Sequence, residues 1–117
     1  MSNAQARTAT PQDGEFRHDS ASVEWSDFFT PGTFYRILNV DLEARKADML
    51  GKFEPNSQCM YRRHTATTQT LVLQGELRVR EQIDGREVVK VKPAGSFSVG
   101  GYGEIHIEGS GDEEAII

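Results

Sequence analysis

Short alternating segments separated by turn residues dominate the sequence from Val23 onward, and no stretch shows a convincing 3.6-residue helical period. The strongest turn signal is IDGR, in which Asp84-Gly85 is typical of a type I′ hairpin returning through EVVKV. Further Gly, Pro and Asp clusters occur at EPNS, PAG, GGYG and GSGD. This pattern predicts an all-β domain, built as an antiparallel sandwich or small barrel.

Two longer stretches define the predicted strand pairing. Residues Thr33–Leu42 and Ala47–Phe53 are predicted to pair around the charged turn EARK. In Thr70–Ile83, four apolar residues recur at period two, with Gly75 in line as a bulge or a point of close backbone approach. The period predicts one shared face for Leu71, Leu73, Leu77 and Val79.

Residues 1–22 carry small and polar side chains without apolar periodicity, so we predict a mobile tail followed by a single domain over residues 23–117. The 117 residues allow one domain with a modest core. The single cysteine, Cys59, excludes an intrachain disulfide framework and a thiolate-rich zinc site. We interpret it as a small apolar side chain.

The charge and hydropathy of the chain exclude several classes of partner. The net charge of -5 argues against non-specific binding of nucleic acid or of anionic membranes. No apolar run approaches the roughly 18 residues that span a bilayer, and no secretory h-region is present. We therefore expect a cytoplasmic protein whose partner is a small molecule.

The chain has three histidines, His18, His64 and His106. His18 lies in the predicted tail, whereas the other two lie on or next to predicted strands that a folded sheet can bring together. Imidazoles near neutral pH suit proton transfer and metal binding, which makes His64 and His106 the candidate catalytic residues. Spacing alone leaves the alternative that both are incidental.

The stretch PNSQCMYRRHTATTQTLVLQGEL resembles the first signature motif of the cupin superfamily, G-x5-H-x-H-x(3,4)-E-x6-G. Anchored on Gly75, the motif places Arg62 at its first histidine and His64 at its second. Thr68 then stands at the glutamate, or Gln69 with the longer spacing.

The later stretch GSFSVGGYGEIH resembles the second cupin motif, G-x5-P-x-G-x2-H-x3-N, and places His106 at its histidine. WSDFFTPGTFYRIL, ahead of both motifs, is similar to the corresponding segment of cupins that resemble the anti-sigma factor ChrR and the dihydroxyacetophenone and acetylacetone dioxygenases. The resemblance covers Trp25 to Ile117. It implies the RmlC-like cupin double-stranded β-helix, a jelly-roll-type antiparallel barrel, and a homodimer formed through an N-terminal edge strand.

The departures from the motifs fall on the metal ligands. A typical metal-bearing cupin has three histidines, usually with a glutamate, around Fe, Mn, Ni or Zn. Here the resemblance implies that only His64 and His106 are available for one divalent metal (Fe, Ni or Zn). Arg62 would place a permanent cation where the dication should bind.

Two questions of orientation stay open in the sequence. Period two puts Glu104 and Glu108 on the same strand face as His106, so either can reach inward with it. In the alternative, that whole face is solvated and Ile105 and Ile107 form the inner one. Arg62 is likewise either a surface charge or an inward guanidinium suited to a carboxylate, enolate or phosphate.

From these patterns we predict a metal-independent, small-molecule-binding cupin whose ligand is small and anionic, and which acts as a sensor, a regulatory domain or an isomerase. The ligand-binding residues would be Arg62, His64, Thr68, Gln69 and His106. The alternative is a metal-dependent, dioxygenase-like cupin enzyme acting on a diketone or an aromatic ketone, with His64 and His106 as metal ligands.

Overall fold

The computed structural model describes residues 23–101 and 103–117, with the side chain of Arg62 outside the described part. The predicted tail, residues 1–22 with His18, lies outside the described residues. No helix long and apolar enough to cross a membrane occurs in the described ranges. Ten strands are found there, which confirms the all-β expectation: β1 (Ser26–Asp27), β2 (Thr33–Asp41), β3 (Lys46–Phe53), β4 (Arg62–Arg63), β5 (Thr68–Leu71), β6 (Glu76–Ile83), β7 (Arg86–Pro93), β8 (Phe97–Gly100), β9 (Ile105–Gly109) and β10 (Ala115–Ile116).

The strands form two antiparallel layers. One contains β1-β2-β3-β10 in that order, and the other contains β4-β9-β6-β7. The short β5–β8 pair continues the first layer, because the backbone N–H groups of Leu73 and Gln74 donate to the carbonyl oxygen of Ile116 at 2.8 and 3.2 Å. Side chains from both layers meet in the core, so the architecture is an antiparallel barrel flattened into two sheets.

The predicted hairpins are present. Asp84 and Gly85 have φ values of 51° and 76°, the left-handed pair that a type I′ turn requires, and they join β6 to β7 over eight paired residues. The EARK turn joins β2 to β3, with a register shift between Ile37 and Asn39. Local turn chemistry therefore sets both pairings.

The core differs from the predicted face in the first half of Thr70–Ile83. Leu77 and Val79 are buried as predicted, but Leu71 and Leu73 are 47% and 52% exposed, and Val72 is buried instead. The reason is that Thr70–Ile83 is not one strand: the chain leaves β5, crosses between the layers and begins β6 at Glu76. The buried cluster consists of Phe53, Val72, Leu77, Val79 and Ala115.

Gly75 lies at this crossing with φ +70°, a conformation that L side chains rarely adopt. A Cβ atom at Gly75 would also collide with the backbone carbonyl oxygen of Glu114. The predicted close approach is confirmed. The crossing displaces the alternating pattern by one residue, which exposes Leu73 and buries Val72.

Candidate metal centre

His64 follows β4 and is held against the beginning of β9. Its backbone N–H donates to the carbonyl oxygen of Glu104 at 2.9 Å, and its own carbonyl oxygen accepts from the N–H of Gly103 at 2.7 Å. Gly103 has φ +87°, which favours glycine at this position of the second motif. The loop before β9 thereby fixes the backbone of His64.

His106 and Glu108 lie on β9 and share one face of the strand. In the ladder His106 is opposite Glu81 of β6, and Glu108 is opposite Val79. His106 is 7% and Glu108 8% exposed, whereas Ile105 is 45% exposed. The alternative of a solvated His106 face is therefore wrong, because this face turns into the barrel.

The three side chains converge on one point. His64 Nε2 and His106 Nε2 lie 2.9 Å apart, and His106 Nε2 lies 3.5 Å from the Glu108 carboxylate oxygen Oε1. One donor atom from each residue lies within 4.8 Å of the other two. We call His64, His106 and Glu108 the triad.

Thr68 lies behind the triad. Its Oγ1 is 2.7 Å from Nδ1 of His64. When the hydroxyl accepts a hydrogen bond from Nδ1–H, the lone pair of His64 is left on Nε2, on the side of His106. Histidine ligands of metals almost always donate their other ring N–H in this manner. Thr68, at the glutamate position of the motif, thus orients His64.

Cys59 holds the backbone of Glu108. Its N–H donates to the Glu108 carbonyl oxygen at 2.9 Å, and the Glu108 N–H donates to Sγ of Cys59 at 3.3 Å. Cys59 is 1% exposed. This burial agrees with the interpretation of Cys59 as a small apolar side chain, and the two hydrogen bonds to Glu108 link Cys59 to the triad.

The donor set of the triad fits a divalent metal. Two nitrogen ligands on bonds of about 2.1 Å lie roughly 3.0–3.4 Å apart for bond angles between about 90° and 110°, so the two Nε2 atoms, 2.9 Å apart, are close enough to bind the same ion. A carboxylate beside two imidazoles is a common set for Fe(II) and Zn²⁺. Nδ1 of His106 is buried and has no hydrogen-bond partner among the described residues. The His106 ring is therefore held through its Nε2 side.

The triad opens into a cavity of about 120 Å³ between the two layers. A second depression of about 300 Å³ is larger but is lined only by Glu76, Arg78, Gly111, Asp112 and Glu113, without a histidine. Besides the triad, the first cavity is lined by Thr68, Thr70, Leu77, Val79, Glu81, Lys90, Lys92, Ser98, Val99, Gly100 and Glu104. The chemistry of the donors, rather than size, identifies the first cavity as the candidate site.

The predicted ligand-binding residues do not all meet there. His64, Thr68 and His106 come together, whereas Gln69 is exposed and does not line the cavity. Neighbouring residues of a strand point to opposite faces, so Thr68 faces inward and Gln69 outward. The Arg62 backbone lies opposite His106 in the β4–β9 ladder, and its side chain lies outside the described part.

Glu108 is the triad member missing from the predicted ligand set. The signal was its spacing of two from His106, which it shares with Glu104. The structure separates the two acids: Glu104 is exposed at the rim, two residues before His106, whereas Glu108 lies deeper along β9. Their depth in the barrel depends on where β9 begins, which the spacing does not reveal.

Comparison with solved structures supports the fold. KdgF from Halomonas sp. matches with a TM-score of 0.61 and 18% identity, over 80% of this chain and 79% of that chain. The polyketide cyclase RemF from Streptomyces resistomycificus matches with a TM-score of 0.66 and 21% identity, over 84% and 72%. Fe(II)-HppE, solved with an alternative substrate, matches with a TM-score of 0.72 and 12% identity, over 90% of this chain and 58% of that chain.

These likenesses establish the cupin fold, and their low identities carry no activity across. No functionally curated protein matches the chain. The family model of the ChrR cupin-like domain matches residues 13–117, which is most of the sequence. The chain therefore belongs to the ChrR cupin-like domain family of the cupin superfamily.

Proposed function

We propose that this cupin domain binds one divalent metal through the triad and takes a small anionic molecule into the adjoining cavity. The observation that carries the proposal is the 2.9 Å separation of the His64 and His106 Nε2 atoms, with the buried Glu108 carboxylate beside them. The sequence motifs favoured a metal-independent site, because two of the usual ligands are replaced. Glu108 supplies a carboxylate from another position and reverses that preference.

The donor set also favours a second, narrower candidate function. Two histidines and one carboxylate with open positions are typical of non-haem Fe(II) oxygenases. A bound metal would supply a Lewis acid for an oxygen atom of the ligand. The dioxygenase-like activity on a diketone or aromatic ketone is therefore the alternative. Oxygen consumption by the Fe(II)-loaded protein in the presence of acetylacetone tests it, and consumption equal to a protein-free Fe(II) control rejects it.

Metal content tests the main proposal. The purified protein, dialysed against Fe(II), Ni²⁺ or Zn²⁺ and measured by elemental mass spectrometry, should retain close to one metal per chain. His64→Ala and His106→Ala should each lose it. Glu104→Gln, a change at the rim of the same cavity, is the matched control and should retain it. A wild-type protein that holds no metal in any of these preparations contradicts the metal centre.

The assembly and location expected from the sequence stay predictions. The homodimer is inferred from resemblance to small cupins, and the two-residue strand β1 at the edge of its sheet is the place expected for it. Light scattering on the purified chain distinguishes a dimer of about 26 kDa, twice the mass of one chain, from a monomer of 13.1 kDa. Fractionation of the cells that make the protein tests the predicted cytoplasmic location.

A further inference from the structure

We propose that Lys92, Thr70 and Ser98 form a carboxylate-binding subsite in the same cavity as the triad. A ligand that reaches both would be a small dicarboxylate or a related acid with a second oxygen donor. This inference rests on the proposed metal centre, because the metal supplies the partner for the other end of the ligand.

Lys92 faces the cavity because of its place in the ladder. It lies opposite Leu77, and Lys90 lies opposite Val79. Directly opposed residues of an antiparallel pair share one face of the sheet, and Leu77 and Val79 both point into the core. Both lysines accordingly line the cavity.

The two lysines differ in their partners. The Lys90 ammonium nitrogen lies 2.9 Å from the Glu81 carboxylate, so Lys90 has a counter-charge although half of its side chain is exposed. Lys92 is half-buried and forms no ion pair with any carboxylate of the described residues. An ammonium group that lines the cavity without a carboxylate partner attracts an anion from solution, because a hydrogen bond between two charged groups is stronger than one between neutral groups.

Two hydroxyl groups face this region from the other layer. Thr70 of β5 pairs with Ser98 of β8, both are half-buried, and both line the cavity. In the described part of the chain neither hydroxyl makes a side-chain hydrogen bond, so both are available as donors. An ammonium group and two hydroxyl donors are the groups that hold a carboxylate.

The spacing of the two ends limits the size of the ligand. Lys92 and Glu108 are separated by two strand spacings across the sheet and two residues along it, which places their Cα atoms roughly 12 Å apart. The four-carbon stem of lysine covers about half of that distance. At 10–15 Å³ for each water-sized position, the cavity of about 120 Å³ takes about ten non-hydrogen atoms. A dicarboxylate of three to five carbons fits these limits.

The charges of the cavity link the anion to the metal. Its lining has three carboxylates, those of Glu81, Glu104 and Glu108, against the two ammonium groups of Lys90 and Lys92. This excess of negative charge disfavours the binding of an anionic ligand until a dication neutralises the triad. We therefore expect dicarboxylates to bind more tightly to the metal-loaded protein than to the metal-free one.

The test is calorimetric titration of the Zn²⁺-loaded and the metal-free protein with oxalate, malonate, succinate and glutarate, with propionate as the monocarboxylate comparison. The wild-type affinity should be greatest at one chain length. Lys92→Gln should weaken binding by about tenfold or more, the loss expected for a hydrogen bond to a charged group. Lys46→Gln is the matched control, because Lys46 is an exposed lysine of β3 outside the cavity. The dicarboxylate affinity of this variant should equal that of the wild type.

Metal content measured in the same samples separates the two proposals. Unchanged dicarboxylate affinity in Lys92→Gln, or no dicarboxylate binding by metal-loaded protein, overturns the subsite and leaves the metal centre standing. Lys92-dependent binding by protein that retains no metal after dialysis rejects the metal centre, and it leaves Lys92 as a carboxylate site that acts without a metal at the other end of the ligand. If the protein binds neither metal nor dicarboxylate, both proposals are rejected.

Discussion

His64 Nε2 and His106 Nε2 lie 2.9 Å apart although the two residues are 42 positions apart in the sequence. The contact exists because the His64 backbone is hydrogen-bonded to the loop before β9, while His106 lies on β9 itself. Two imidazole nitrogens at this distance share one proton or ligate one metal. The presence of Glu108 within reach of both favours the metal.

Glu108→Gln should abolish high-affinity metal binding and leave the fold intact. The amide keeps the shape of the side chain but removes the negative charge that a divalent ion requires. We expect the metal affinity, measured by competition with a chelator, to fall by at least about 100-fold, more than the range for loss of an outer hydrogen bond. Glu104→Gln removes the same charge at the exposed rim of the cavity and is the control, so its metal affinity should fall by no more than several-fold. Equal affinities in the two variants would remove Glu108 from the ligand set.

Thr68→Val should weaken metal binding without removing a ligand. Valine keeps the branched shape but cannot bond to Nδ1 of His64, so the ring loses its orientation and its preferred tautomer. The expected loss of metal affinity is about 10-fold to 100-fold. Thr68→Ser keeps the hydroxyl and should restore most of it, and Thr67→Val, at an exposed neighbour, should have no effect. A purely structural role for Thr68 would lower the melting temperature in both Thr68 variants and leave the metal affinity unchanged.

Arg62→Gln should raise the metal affinity several-fold. The Arg62 backbone lies directly opposite His106 in the ladder, and the match to the first cupin motif predicts a permanent positive charge beside the metal, which would oppose a dication. Arg63→Gln removes the same charge one residue later and is the matched control. An affinity for Zn²⁺ that does not differ between the two variants argues against any part for Arg62 in the site. A loss of dicarboxylate binding in Arg62→Gln would instead support the anion-binding role predicted from the sequence.

Gly75→Ala should destabilise the protein more than Gly95→Ala. Both glycines have positive φ values, +70° and +89°, which cost an L residue about 1–2 kcal/mol. At Gly95 the added Cβ meets no atom within 4 Å, so that cost stands alone. At Gly75 the collision with the Glu114 carbonyl adds to it, and we expect a total above about 3 kcal/mol. Urea unfolding of the two variants measures the difference, and equal values would show that the crossing relaxes freely.

Leu77→Ala should cost about 2–5 kcal/mol of unfolding free energy, because Leu77 is 1% exposed within the core. Leu73→Ala removes the same atoms from a residue that is 52% exposed, and it should cost less than about 1 kcal/mol. Chemical unfolding of both variants, fitted with one common denaturant slope, measures the two losses of unfolding free energy. If both leucines cost the same, they share one buried face, as the uninterrupted period in the sequence had suggested.

Turn chemistry and strand period were readable in the sequence because they are local. Asp84-Gly85 specifies a left-handed pair of residues whatever surrounds it, and the hairpin between β6 and β7 follows. The match to the two cupin motifs, with Gly75 as an anchor of the first and Gly103 in the second, likewise predicted the cupin fold and allowed His64 to meet His106. Both predictions depend on backbone conformations that few residues other than glycine adopt.

The third ligand and the inner face were decided only by tertiary structure. Period two makes Glu104 and Glu108 equivalent, but the loop that bonds to His64 sets where β9 begins, and this leaves Glu104 at the rim and Glu108 inside. Val72 rather than Leu73 is buried for a similar reason, since the chain changes layers at Gly75. Alternation along a strand determines which residues share a face. Contacts between distant segments determine which face is buried and how deep each residue lies.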